Sequence, residues 1–116
     1  MTLRLSISLS DPWELGERRE WRPILGELVE KPRDTHLLIR LDEPISQNDA
    51  NWRYVLVSDR HEGAYVRGVE NGQSIACSGI GITDQDAETG NSLNAANKWR
   101  GGGLTFIGSV SALPDN

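Results

Sequence analysis

Residues 65–78 read Tyr65-Val66-Arg67-Gly68-Val69-Glu70-Asn71-Gly72-Gln73-Ser74-Ile75-Ala76-Cys77-Ser78. Two arms of alternating apolar and polar side chains flank an Asn-Gly pair. Both central residues of a type I′ turn require positive φ, and Asn-Gly meets that requirement at the lowest steric cost. The stretch therefore predicts a β-hairpin with Glu70 opposite Gln73 and Val66 opposite Cys77.

Period-two alternation continues on both sides. Leu3, Leu5, Ile7 and Leu9 share one face of an extended segment, with Arg4, Ser6 and Ser8 on the other. Asp11-Pro12-Trp13-Glu14 carries helix-capping chemistry, which predicts a single helical turn closed by Gly16. Pro23 cannot donate to a ladder, so the next strand either lies at an edge or begins after it. Gly26 within that strand implies a bulge or a close backbone contact. Lys31-Pro32-Arg33-Asp34 reads as a turn and residues 35–41 as a strand. Asp42-Glu43-Pro44 interrupts that strand, and residues 46–51 read as a polar loop.

Residues 52–58 are the most β-prone of the chain, and their nearly continuous apolar centre implies burial on both faces. The second hairpin arm extends through Gly79-Ile80-Gly81-Ile82, where the glycines permit bending or a bulge. Residues 84–92 read as an acidic loop. Ser92 can cap one or two helical turns, and residues 104–113 form the last strand. The expectation is a single all-β domain over residues 1–116: an antiparallel barrel or sandwich of about seven strands with one or two short helical turns. No crossover helix is long enough for a parallel sheet.

Composition narrows the chemistry. No apolar run approaches the roughly 20 residues that span a bilayer, and the alternating N-terminus lacks a signal-peptide block. We therefore expect no membrane association. The single cysteine excludes an intramolecular disulfide and suits a cytoplasmic location. The net charge of −5 arises entirely beyond residue 40, because residues 1–40 balance seven basic against seven acidic side chains. An acidic surface opposes phosphate backbones, which disfavours nucleic acid.

Two histidines in unrelated segments and one cysteine do not make a zinc set. Asp84-x-Asp86-x-Glu88-x-Gly90 begins like a calcium loop, but its glycine comes one residue late and Ala95 stands where the bidentate glutamate belongs. No nucleophile elbow, phosphate loop or dinucleotide fingerprint occurs. The reading is accordingly a non-enzymatic protein-binding module with no cofactor or metal, acting on another protein or on a second copy of itself. The candidate contact residues are Trp99 and Arg100, an aromatic and a guanidinium beside three glycines, with Asp84, Asp86 and Glu88 facing a basic partner. The competing reading is a small-molecule-binding barrel, or a minor enzyme built on one, with Trp52, Tyr54, Tyr65 and Trp99 around its mouth.

Overall fold

In the computed structural model, the described residues are 3–9, 23–33, 35–47, 50–59, 74–97 and 105–113. They form β1 (Arg4–Leu9), β2 (Ile24–Arg33), β3 (His36–Gln47), β4 (Ala50–Asp59), β5 (Ile75–Ile82), α1 (Asp84–Glu88), α2 (Ser92–Asn97) and β6 (Thr105–Ala112). The six strands close in sequence order into an antiparallel barrel, β6 pairing back onto β1. Closure removes the sheet edges that would otherwise invite pairing with other chains. The chain is therefore all-β, and a barrel rather than a sandwich.

Alternation sets the inside and the outside. Leu5 and Ile7 of β1, Leu37 and Ile39 of β3, Val55 and Val57 of β4, and Cys77, Phe106 and Val110 belong to one buried cluster that fills the interior. Arg4 and Ser6 lie half-exposed and Ser8 exposed on the outer face, as the period-two reading requires. The side chain of Leu9 lies outside those described. On β4 the alternate residues Tyr54 and Leu56 point outward, yet they are buried too. With Leu38, Ile82 and Ala87 they form a second cluster, against which Leu93 and Ala95 pack. Two short helices thus roof the outer face of β3, β4 and β5, and this explains the unbroken apolar run in β4.

Two glycines allow the interior to close. A Cβ at Gly26 would lie 2.6 Å from the Arg40 carbonyl oxygen, so this position is a close backbone approach. A Cβ at Gly79 would lie 2.2 Å from Cζ of Phe106, the residue paired with it on β6. Gly79 therefore makes room for an aromatic ring, and β5 keeps regular register through Gly79 and Gly81 with no bulge.

Several local expectations are corrected. Residues 31–33 are not a turn: β2 runs on to Arg33, which pairs with His36. A register shift between Glu30 and Arg33 accommodates Pro32, which has no amide proton to donate. Asp42-Glu43-Pro44 does not end its strand. These residues lie in a register shift between Arg40 and Ile45, after which β3 pairs with β4 again as far as Gln47 and Ala50. The predicted polar loop at 46–51 is thereby largely strand, with Ser46 Oγ donating to Asn51 Oδ1 at 2.6 Å.

Asn71-Gly72 and residues 65–70 lie outside the described residues, as do residues 11–16, where a helical turn is expected. Cys77 is described, and its two sides pair with Asp59 and Gly108. A strand residue has only two lateral neighbours, so the register that placed Val66 opposite Cys77 is not the one formed.

Ion pairs occupy the outer face of β1, β2 and β3. Arg4 meets Asp42 through both guanidinium nitrogens, one bond measuring 2.7 Å, and Arg40 meets Glu27. Hydrogen bonding to Arg4, aided by its charge, holds the Asp42 carboxyl below the usual carboxylate range. Among the described residues no helix is long and apolar enough to cross a membrane.

Candidate functional site

The segment expected to be an acidic loop is folded. Thr83 caps α1: its Oγ1 accepts from the Asp86 amide at 3.2 Å, while its hydroxyl donates to Asp86 Oδ2 at 3.0 Å. Thr83 thus serves as a side-chain N-cap whose hydroxyl is in turn held by the Asp86 carboxylate. Asn91 Nδ2 donates to the other Asp86 oxygen at 3.0 Å. At the far end Gly90 takes φ of 73°, and the Asn91 amide donates to the Asp86 carbonyl at 2.8 Å, closing a Schellman turn. Ala87 anchors the helix in the outer cluster.

The consequence for the candidate residues is specific. Asp86 spends both carboxylate oxygens on local structure, whereas Asp84 and Glu88 are exposed on the helix surface. Trp99 and Arg100 lie outside the described residues. Among the described residues no three His, Cys, Asp or Glu side chains converge as a metal site would require.

A groove that the sequence reading did not single out lies on the outer face next to this helical roof. Outward residues of four strands stand in cross-strand rows. His36 pairs with Ser58, Ser58 with Ser78, and Ser78 with Ile107. One step along, Leu38 pairs with Leu56, Leu56 with Ile80, and Ile80 with Thr105. Leu38 and Leu56 are covered by the helices, whereas Thr105, at the other end of the row, is exposed. There a groove of about 370 Å³ opens, lined by Ser78, Gly79, Ile80, Thr105, Phe106 and Ile107. A smaller recess of about 80 Å³ shares Ser78, Gly79 and Ile80 and reaches Leu56, Ser58 and His36.

Chemically this is a shallow apolar trough edged with hydroxyls and one imidazole. Thr35 Oγ1 sits 2.8 Å from His36 Nδ1, so an alcohol stands where hydrolytic triads place a carboxylate. The groove's position follows from two signals in the sequence. Residues 74–83 and 104–113 contain no charged side chain apart from those of the following helix and tail, and Ile80 and Ile107 fall at outward positions among serines and threonines. Neither signal names a chemistry, and only the strand register brings Ile80 beside Thr105 and Ser78 beside Ile107.

Tyr54 does not line a barrel mouth; it lies under the helical roof. Trp52 packs against the inner cluster from the end of β4 where it pairs with Ile45. Tyr65 lies outside the described residues. The chain matches no protein-family model, no curated protein and no solved structure.

Proposed function

We propose that this chain is a non-enzymatic module that binds another protein on the groove between its helical roof and β6. The observation that carries the reading is the groove itself, an apolar recess on the outer face whose lining residues, Ser78, Gly79, Ile80, Thr105, Phe106 and Ile107, include no charged side chain. Interface centres are depleted in charge relative to the rest of a protein surface. The closed barrel offers no edge for strand addition, so recognition falls to side chains on its outside. The solitary thiol, Cys77, is buried in the interior and is compatible with work in the cytoplasm. Repulsion between phosphates and a chain of net charge −5 argues against nucleic acid as the partner.

The competing small-molecule barrel needs interior space. The inward positions of all six strands instead contribute to one apolar cluster, with a phenylalanine ring laid across Gly79. The test is affinity capture from lysate of the source cells with the native chain and with Thr105→Trp, which fills the groove without changing charge. The reading expects a protein recovered in stoichiometric amount by the native chain and lost with the variant at unchanged melting temperature. Identical recovery by both, or recovery of chaperones alone, contradicts it.

A further inference from the structure

Resting on that reading, we infer that the groove takes an amphipathic helix of the partner, which presents two uncharged aliphatic side chains, one turn apart, to β5 and β6. The chain itself shows what this outer face accepts. α1 packs on β4 and α2 on β5. Along the row Leu38, Leu56, Ile80 and Thr105, the first two residues are buried under this roof, and Ile80, Leu93 and Ala95 pack against the same outer cluster. Ile80 also lines the groove, and Thr105 beyond it is exposed. The groove is therefore the part of a helix-bearing face that α1 and α2 leave open. A helix laid on β5 and β6 continues the layer.

Backbone chemistry selects a helix over an extended segment. All six strands are paired on both sides, so no edge is open to strand addition. An extended segment laid across the groove would bring its own amides and carbonyls onto Ile80 and Ile107. Among the lining side chains only the Ser78 and Thr105 hydroxyls could satisfy them. A helix satisfies its backbone internally and presents side chains alone. The spacing agrees. The rows Ser78–Ile107 and Ile80–Thr105 lie two residues apart along each strand, about 7 Å, and helical positions i and i+4 are separated by a rise of about 6 Å. Volume sets the number of side chains. An apolar cavity of about 150 Å³ takes one benzene ring, so a groove of about 370 Å³ takes two side chains of leucine size. No lining residue is charged, so a lysine or a glutamate docked there would lose water without gaining a counter-charge.

The probe is a soluble, fluorescent, alanine-based helical peptide with leucine at positions i and i+4, read by polarisation against the full chain. It should bind, and replacing both leucines with alanine should weaken it at least about tenfold. Lysine and glutamate, placed in turn at one leucine position, should each weaken it at least about tenfold. A central proline, which breaks the helix and keeps both leucines, should weaken it as much. Thr105→Trp fills the groove and should weaken the parent peptide about tenfold. If that variant melts early, Thr105→Arg at the same exposed position brings a charge to the groove and should do the same. Glu43→Lys, exposed and outside the lining, should change binding less than about twofold. If the lysine or the glutamate peptide binds as tightly as the parent, the uncharged docking face is wrong. If the proline peptide binds as tightly and loses binding with the Thr105 variants, docking at the groove stands and the helix is wrong. If the parent peptide ignores both Thr105 variants, it binds elsewhere and the inference fails. If no peptide binds while lysate capture still depends on Thr105, the helix is overturned and the groove reading survives. If capture is indifferent to Thr105 as well, both fall.

Discussion

Replacing Gly79 with alanine tests the packing that closes this barrel. The added methyl would sit 2.2 Å from Cζ of Phe106, 2.6 Å from Cε1 and 2.8 Å from Cε2. Carbon atoms in ordinary contact are about 3.5–4.0 Å apart, so the ring must retreat by more than about 1 Å. Phe106 is only 3% exposed and belongs to the inner cluster, so retreat displaces other core side chains. Overpacking of this kind costs about 1–3 kcal/mol. Opposing it, alanine restricts the unfolded chain and contributes about 0.4–1 kcal/mol of stability where the site tolerates it. The clash outweighs that gain, and the expected net loss is about 1–2 kcal/mol out of a total of about 5–15. Urea denaturation of the native chain, Gly79→Ala, Phe106→Leu and the double variant forms a complete cycle. Phe106→Leu vacates the space the methyl needs, so the double variant should be more stable than the sum of the single losses by at least about 1 kcal/mol. The m-values should be unchanged. Additive losses, or a stabilising Gly79→Ala, would refute the account of how ring and glycine fit together.

Four further outcomes follow from the same structure. Gly26→Ala puts its methyl 2.6 Å from a backbone carbonyl, which cannot swing aside as a ring can; its loss should exceed that of Gly79→Ala, and Phe106→Leu should not relieve it. Deleting residues 1–9 removes the strand that joins β2 to β6, and the truncated chain should fail to melt cooperatively, which calorimetry would show. Because Arg4 depresses the Asp42 carboxyl, its contribution is present above the unfolded value of about 3.9 and is lost as pH falls through the lower folded value. The pair is exposed, so the effect is about 0–1 kcal/mol; acid titration of stability should be slightly shallower for Asp42→Asn than for the native chain. Cys77 is fully buried, so a thiol reagent should label it only at the rate of unfolding, and rapid labelling of the native chain would contradict its placement.

Much of the architecture was legible because alternation is a local property. Leu5 and Ile7 face inward and Ser8 outward as their spacing requires, and the two-sided burial of β4 follows from its composition. The errors arose where pairing overrode punctuation. Pro32 and Pro44 looked like terminators, yet both sit in or beside register shifts that let a strand continue. The helix at 84–88 was concealed by its carboxylates. Thr83 and Asp86 stand at capping-box spacing and Gly90 at the stop position, but three alternating acids drew attention to cation chemistry instead. Of the candidate contact residues, Asp84 and Glu88 are exposed on α1, and Asp86 is held by the cap. The groove could not be read beforehand because its rows join four strands whose register no local pattern specifies.

The central functional claim is that binding occurs on the outer face beside the helices and leaves the barrel interior untouched. Amide chemical-shift mapping of the chain titrated with the protein recovered by affinity capture tests it most directly. The account predicts perturbations centred on Ser78, Ile80 and Thr105, with Leu5, Val55 and the exposed Leu25 of β2 unmoved. Shifts concentrated at Leu25 and Val29, or spread through the inner cluster, would contradict it.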